Sequence, residues 1–336
     1  MTNDEWRMTN ARRHAKRSFS IRHLSLFGVL SGLAAASIWG GMYVVSDVVL
    51  EKIPSFALLT LRLLLGFVSL ALVAALTAPA QLRAVRLRPW ALLGIGIVGY
   101  GFSLAFQFVG TKLSTAANGA LVTSAAPAFI ALFAFFILRE PLPPARIAAV
   151  ALATVGVIIV VFDPGAVRLG GDVLWGNVAL LGAALTGGLY SVLVKWATQR
   201  GVPALAVTVF APLGGLLPVI PLAAWELATT PGAWARALAA LGSPAIVLGV
   251  LYLGLVSTAV AVYLWNKAFE LLDATAASLL FFAQPLVGAL LSAWLLGEAL
   301  GVQFFAGGAL ILLGVLWVTL VAPRGAPSAP SKGSHA

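Results

Sequence analysis

The chain has 336 residues, of which 61% are apolar and only 10% charged, with a net charge of +10 and no cysteine. A soluble domain carries about a quarter charged residues, so bulk water is excluded as the main solvent. Disulfides and thiolate metal sites are excluded as well.

The first 23 residues form a basic tail that carries Arg7, Arg12, Arg13, Lys16, Arg17 and Arg22. No small-residue cleavage site closes the apolar run that follows, which argues against a cleavable signal peptide; an Arg-rich organelle transit peptide is the alternative. A bilayer core needs about 20 apolar residues as helix. Stretches of that kind run over 24–46, 54–77, 89–111, 113–138, 143–162, 173–194, 201–225, 237–266, 274–297 and 299–323. Turn residues part them, among them Lys52-Ile53-Pro54, Pro143-Pro144 and Asp163-Pro164-Gly165. The expected fold is therefore all-α, a polytopic membrane protein with ten transmembrane helices and a disordered tail over 322–336. The three histidines, His14, His23 and His335, fall in the polar tails, so no imidazole is expected inside the membrane and no metal or cofactor is expected.

Lysine and arginine placement orients the spans. With the N-terminus inside, sixteen of the 21 basic residues fall on the cytoplasmic side. Only Lys52, Lys112, Arg168 and Arg236 fall outside, and Arg62 lies within the membrane. The expectation is a multi-pass protein of the inner (plasma) membrane with both termini cytoplasmic. This mapping also removes the reading of the +10 charge as a nucleic-acid surface.

The two halves match when laid over each other. At an offset of 158, Gly96 falls on Gly254, Pro127 on Pro285, Glu140 on Glu298 and Gly156 on Gly314. At 149, Pro54 falls on Pro203 and Gly66 on Gly215; near 148, Asp47 falls on Lys195. An odd number of spans per copy makes the copies enter the membrane from opposite sides. That is the inverted-repeat arrangement of many secondary transporters, with the site near the midplane. The repeats are placed at 24–165 and 172–321.

With Ser37-Ile38-Trp39-Gly40-Gly41, Arg62, and the segments Ala116–Glu140 and Ala276–Glu298, residues 25–321 resemble the EamA-type, ten-helix members of the drug/metabolite transporter superfamily. The resemblance implies export or uptake of amino acids and similar metabolites. It also implies a cavity lined by the first, third, fourth, sixth, eighth and ninth helices. Where the family often carries a basic residue this chain has Asp47, while the second copy keeps Lys195.

Intramembrane polar groups mark function by default. Arg62 lies roughly 12 Å below Pro54 at 1.5 Å per residue, and Asp47 is the nearest acid in sequence, as a structural or coupling partner. Substrate contacts are expected from Trp39, Tyr43, Gln107, Asn118, Tyr190, Ser191, Trp265, Ser278 and Gln284. Interhelical hydrogen bonding is the alternative reading of each. Pro127 and Pro285 each interrupt an apolar helix and read as hinges. Gly94-Ile95-Gly96-Ile97-Val98-Gly99 matches a dinucleotide fingerprint in letters alone, with no preceding strand.

The expected function is a secondary transporter, an exporter or exchanger of small neutral or zwitterionic metabolites such as amino acids, working by alternating access. The alternative is a flippase or transporter of lipid-linked or nucleotide-linked sugars. A membrane enzyme would need a His–acid, Ser–His or paired-Asp arrangement inside the spans, and the sequence offers none. The expected partners are a small-molecule substrate and the lipid bilayer, and a homodimer is compatible with the sequence.

Overall fold

The computed structural model describes residues 26–42, 45–46, 48–83, 88–113, 122–123, 125–161, 172–296 and 302–320. Ten apolar helices run through them. In the first half these are α1 (Leu26–Met42), α2 (Ser55–Thr77), α3 (Pro89–Leu113), α4 (Ala126–Leu138) and α5 (Pro144–Val161). In the second half they are α6 (Asp172–Thr198), α7 (Ala204–Thr229), α8 (Pro244–Leu271), α9 (274–296) and α10 (Val302–Leu320). In α2, α3, α6, α7 and α8 the described stretch alone is long and apolar enough to cross a membrane.

Proline sets several starts. Pro54 and Pro203 occupy the caps of α2 and α7, and Pro89 and Pro244 the first turns of α3 and α8. There the missing N–H has no intrahelical acceptor to lose. Helix α4 ends on Arg139 in the left-handed region (φ 57°), which turns the chain sharply before Glu140. The apolar stretch expected over 237–266 divides: Ala233–Ala240 is a separate short helix, and α8 starts afresh at Pro244 and continues to Leu271. Gly242-Ser243-Pro244 interrupts the first run, and Lys267 is accommodated by the last turn of α8, where Glu270 pairs with it at 2.6 Å.

Large apolar side chains such as Leu72, Leu76, Leu217 and Phe305 face outward, as a lipid-facing surface requires. Exposed Trp90, Trp175, Trp225 and Trp294 lie near helix ends, where indole suits the membrane–water interface.

The duplication is written into the packing by glycine. Helices α5 and α10 cross where a methyl on Gly156 would lie 2.6 Å from the Gly307 carbonyl oxygen, and one on Gly314 would lie 2.9 Å from that of Ala149. Residues 149 and 307 differ by 158, as do 156 and 314, so the contact is its own image under exchange of the halves. Helices α2 and α7 repeat the pattern: Gly66 packs on Thr258 of α8, and Gly215 packs on Tyr100 of α3, the residue equivalent to Thr258. Such reciprocity requires a pseudo-two-fold relation between the halves, and small residues let the backbones meet this closely.

Helices α3 and α8 each contain a π-helical segment, Ile97–Ser103 and Tyr252–Val260, which overlap under the offset of 158. Such segments shift the backbone hydrogen-bond register and concentrate at functional sites.

Candidate functional site

Side chains of α1, α2, α3, α4, α6, α8 and α9 line a partly open cavity of about 150 Å³. It includes all six helices that the family resemblance implies, with Arg62 of α2 added.

One wall is aromatic. Trp39 and Trp265 approach with ring centroids 5.4 Å apart, and Phe281 lies 6.2 Å from the first and 5.7 Å from the second. Trp39 Nε1 donates to the Ser257 carbonyl at 3.0 Å, and Trp265 Nε1 donates to Ser191 Oγ at 3.2 Å. Both indole N–H groups are thus satisfied by protein, and what the wall offers a solute is ring surface.

Arg62 supplies a cation to the same cavity and is 4% exposed. Its Nε donates to Thr258 Oγ1 at 2.6 Å and its Nη2 to Ser257 Oγ at 3.1 Å. Thr258 in turn donates to the Leu253 carbonyl, five residues back along the π segment. The shifted register of α8 therefore positions two hydroxyls for one guanidinium. The fork geometry of arginine suits this two-point grip and lysine would not match it.

At the cavity wall, Tyr190 exchanges hydrogen bonds with the Asn266 amide at 2.9 and 3.1 Å, and behind it Asn266 Nδ2 reaches Thr208 Oγ1 at 2.9 Å. This chain ties α6, α8 and α7 together. The Tyr100 ring meets that of Tyr190 edge-on at 5.6 Å.

Of the residues expected from sequence, Trp39, Gln107, Tyr190, Ser191, Trp265 and Gln284 line the cavity. Ser278 lies elsewhere, fully buried, with its Oγ donating to the Thr275 carbonyl at 2.7 Å. Tyr43, Asp47 and Asn118 lie outside the described residues, as does Glu298. Pro127 sits in the first turn of α4, just after the turn at Ala125. Pro285 follows the 3₁₀ turn Leu280–Phe282 within α9.

Sequence reasoning passed over Tyr100, Thr123, Phe281 and the Ser257–Thr258 pair. A tyrosine and adjacent hydroxyls in the middle of apolar spans are intramembrane polar groups, and that signal alone would have found all but Phe281.

Carboxylates and a lysine hold the ends of the bundle. At one end Glu140 accepts from the Ala274 N–H through both oxygens at 3.1 Å, alongside the Asp273 side chain, which caps α9 from within. Burial raises the carboxyl pKa of Glu140 above its ordinary value, against the opposing effect of the Ala274 N–H. Lys195 donates to the carbonyls of Leu272 and Glu270 at the end of α8. At the other end Glu226 of α7 accepts from the N–H groups of Ser55, Phe56 and Ala57, at 3.1, 2.8 and 3.3 Å, capping α2.

The model of the EamA-like transporter family matches residues 26–162 and 174–320. The chain belongs to that family. It is 26% identical over 317 residues to the uncharacterized transporter YetK of Bacillus subtilis, covering 91% of each chain. It is 27% identical over 300 residues to a protein of Escherichia coli named "Probable amino-acid metabolite efflux pump", covering 86% of this chain and 93% of that one. A solved crystal structure shares the fold with a TM-score of 0.74 at 23% identity, over 88% of this chain and 97% of that one. As an EamA-like transporter the protein is a membrane protein, and its relatives are named transporters, consistent with a role other than catalysis.

Proposed function

We propose that this transporter carries small neutral or zwitterionic metabolites, amino acids among them, out of the cell or in exchange, by alternating access in the plasma membrane with both termini cytoplasmic. The observation that carries the reading is one cavity with a guanidinium, Arg62, and a wall of aromatic faces, Trp39, Trp265 and Phe281. A carboxylate is drawn to the guanidinium and an apolar or cationic group to the rings. The efflux-pump name of the Escherichia coli relative supports the direction and the solute class.

The pseudo-two-fold relation supports the mechanism. Each half can take the conformation of the other, which exchanges the open side while the site stays central. Purified protein in proteoliposomes should show counterflow of labelled leucine or phenylalanine and no uptake of a nucleotide sugar. Uptake of the nucleotide sugar alone would reverse the assignment of substrate.

A further inference from the structure

Two polar atoms lining the cavity have no hydrogen-bond partner among the described residues: the hydroxyl of Tyr100 and the side-chain Oε1 of Gln284. Both residues are deeply buried, at 4% and 6% exposure. A native protein rarely leaves such groups unsatisfied, and each one calls for an explanation. The ring of Tyr190 lies edge-on to that of Tyr100 at 5.6 Å; its oxygen gives its proton to Asn266 Oδ1 and accepts from Asn266 Nδ2, which leaves one lone pair with which a solute oxygen would compete for the Tyr100 proton.

The two groups differ in what they can accept. Tyr100 carries a proton to donate and shares the cavity with the Arg62 guanidinium, so it suits an anionic or strongly accepting oxygen. Gln284 Oε1 can only accept, and it lines the cavity together with the rings of Trp39, Trp265 and Phe281, so it suits an N–H donor or ammonium.

We propose that Tyr100 and Gln284 are the specificity-determining pair of the carrier: Tyr100 reads the acceptor end of the solute and Gln284 reads its donor end. This rests on the proposed transport of zwitterionic solutes and adds which side chain reads which group. The separation matters because a solute lacking one end leaves one buried group unsatisfied, and sites built to hydrogen-bond a group reject analogues without it strongly.

The position of the fold supports independent action of the two residues. Tyr100 stands on α3 and is braced by Gly215 of α7; Gln284 stands on α9, with its backbone carbonyl against Gly40 of α1. Tyr100→Phe removes one oxygen that lacks a hydrogen-bond partner among the described residues, so melting should change little, whereas loss of a structural hydroxyl would lower it.

The test uses the full chain in proteoliposomes and three labelled probes: phenylalanine, phenethylamine, which lacks the carboxylate, and 3-phenylpropionate, which lacks the amine. Tyr100→Phe should raise KM for phenylalanine and 3-phenylpropionate on the order of tenfold to a hundredfold and leave phenethylamine unchanged. Gln284→Leu should weaken phenylalanine and phenethylamine and spare 3-phenylpropionate, and Gln284→Met should repeat that result if the leucine variant folds poorly. Equal losses on all three probes, or no loss on any, would overturn the assignment while leaving transport itself established. Wild-type protein that moves none of the probes would overturn both the assignment and the zwitterion reading beneath it.

Discussion

Gly40 lies against the backbone carbonyl of Gln284, so close that a methyl on its α-carbon would sit 2.8 Å from that oxygen. Its equivalent, Gly188, lies against the carbonyl of Ala126, the residue equivalent to Gln284, and there the methyl would sit 3.5 Å from that oxygen and 3.0 Å from Phe129 Cβ. Each half thus sends its first helix against the fourth helix of its own image, and the approach to the backbone is closer at Gly40 than at Gly188. Gly40→Ala should therefore destabilise by about 1–3 kcal/mol through overpacking, and Gly188→Ala by less. Thermal melting in detergent checks the order, and equal costs would show that the two contacts yield alike.

Arg62→Lys keeps the charge but gives up the fork that reaches Thr258 and Ser257 together. The expected loss is about 1.5–3 kcal/mol per charged hydrogen bond that is not remade. Melting should fall, and Thr258→Val in the Arg62→Lys background should cost less than in the wild type. Additive losses in that double-mutant cycle would show that the two side chains do not act on each other.

Glu226→Ala leaves the N–H groups of Ser55, Phe56 and Ala57 without their carboxylate. A lost cap costs about 0.5–2 kcal/mol, and Glu226→Gln should recover part of it by returning one acceptor oxygen. Faster amide exchange at residues 55–57 in the alanine variant alone would locate the loss. Unchanged exchange would mean that other groups satisfy the start of α2.

Glu140 sets a pH dependence whose sign follows from its raised pKa. A carboxyl that binds its proton more tightly when folded contributes stability that is full below the ordinary carboxylate range. That contribution is lost as pH rises through the raised value. Subtracting the melting curve of Glu140→Gln from that of wild type, over the acid to neutral range, should give a difference that falls with rising pH. A difference that rises with pH would mean that hydrogen bonding at Ala274 outweighs burial.

Pro127 and Pro285 both stand where regular α-helix resumes after a break. Replacing either by alanine removes little that the chain relies on locally, so melting should change by less than about 1 kcal/mol. Accessibility of single cysteines introduced at the two ends should shift in opposite directions for the two variants. A shift in the same direction would mean that the prolines do not act as hinges of a two-fold system.

The helices and their duplication were legible because lipid demands long apolar runs and because glycine, proline and glutamate recur at fixed offsets. Helix ends were less legible. The apolar stretches 173–194 and 237–266 stop just short of Lys195 and Lys267, yet each lysine belongs to the last turns of a helix, where a long basic side chain reaches backbone carbonyls or a carboxylate. The aromatic wall was half visible through Trp39 and Trp265, but Phe281 looked like any other apolar residue of its span. Ser257 and Thr258, which answer the Arg62 guanidinium among the described residues, escape a reading of the sequence because they stand on a helix distant along the chain, and only the fold brings that helix near.

Helices α5 and α10 pack tightly on each other through Gly156 and Gly314, yet among the described residues neither contributes a side chain to the cavity. The last helix of each half is a buckle fastened outside the solute's path. Its outward face carries Ile147, Val155, Leu312 and Trp317, while its inner face packs on Leu279 and Phe282 of α9, the helix that brings Phe281 and Gln284 to the cavity. The lipid-facing surface of this pair and the solute's contacts thus sit on separate helices, joined through one packed seam.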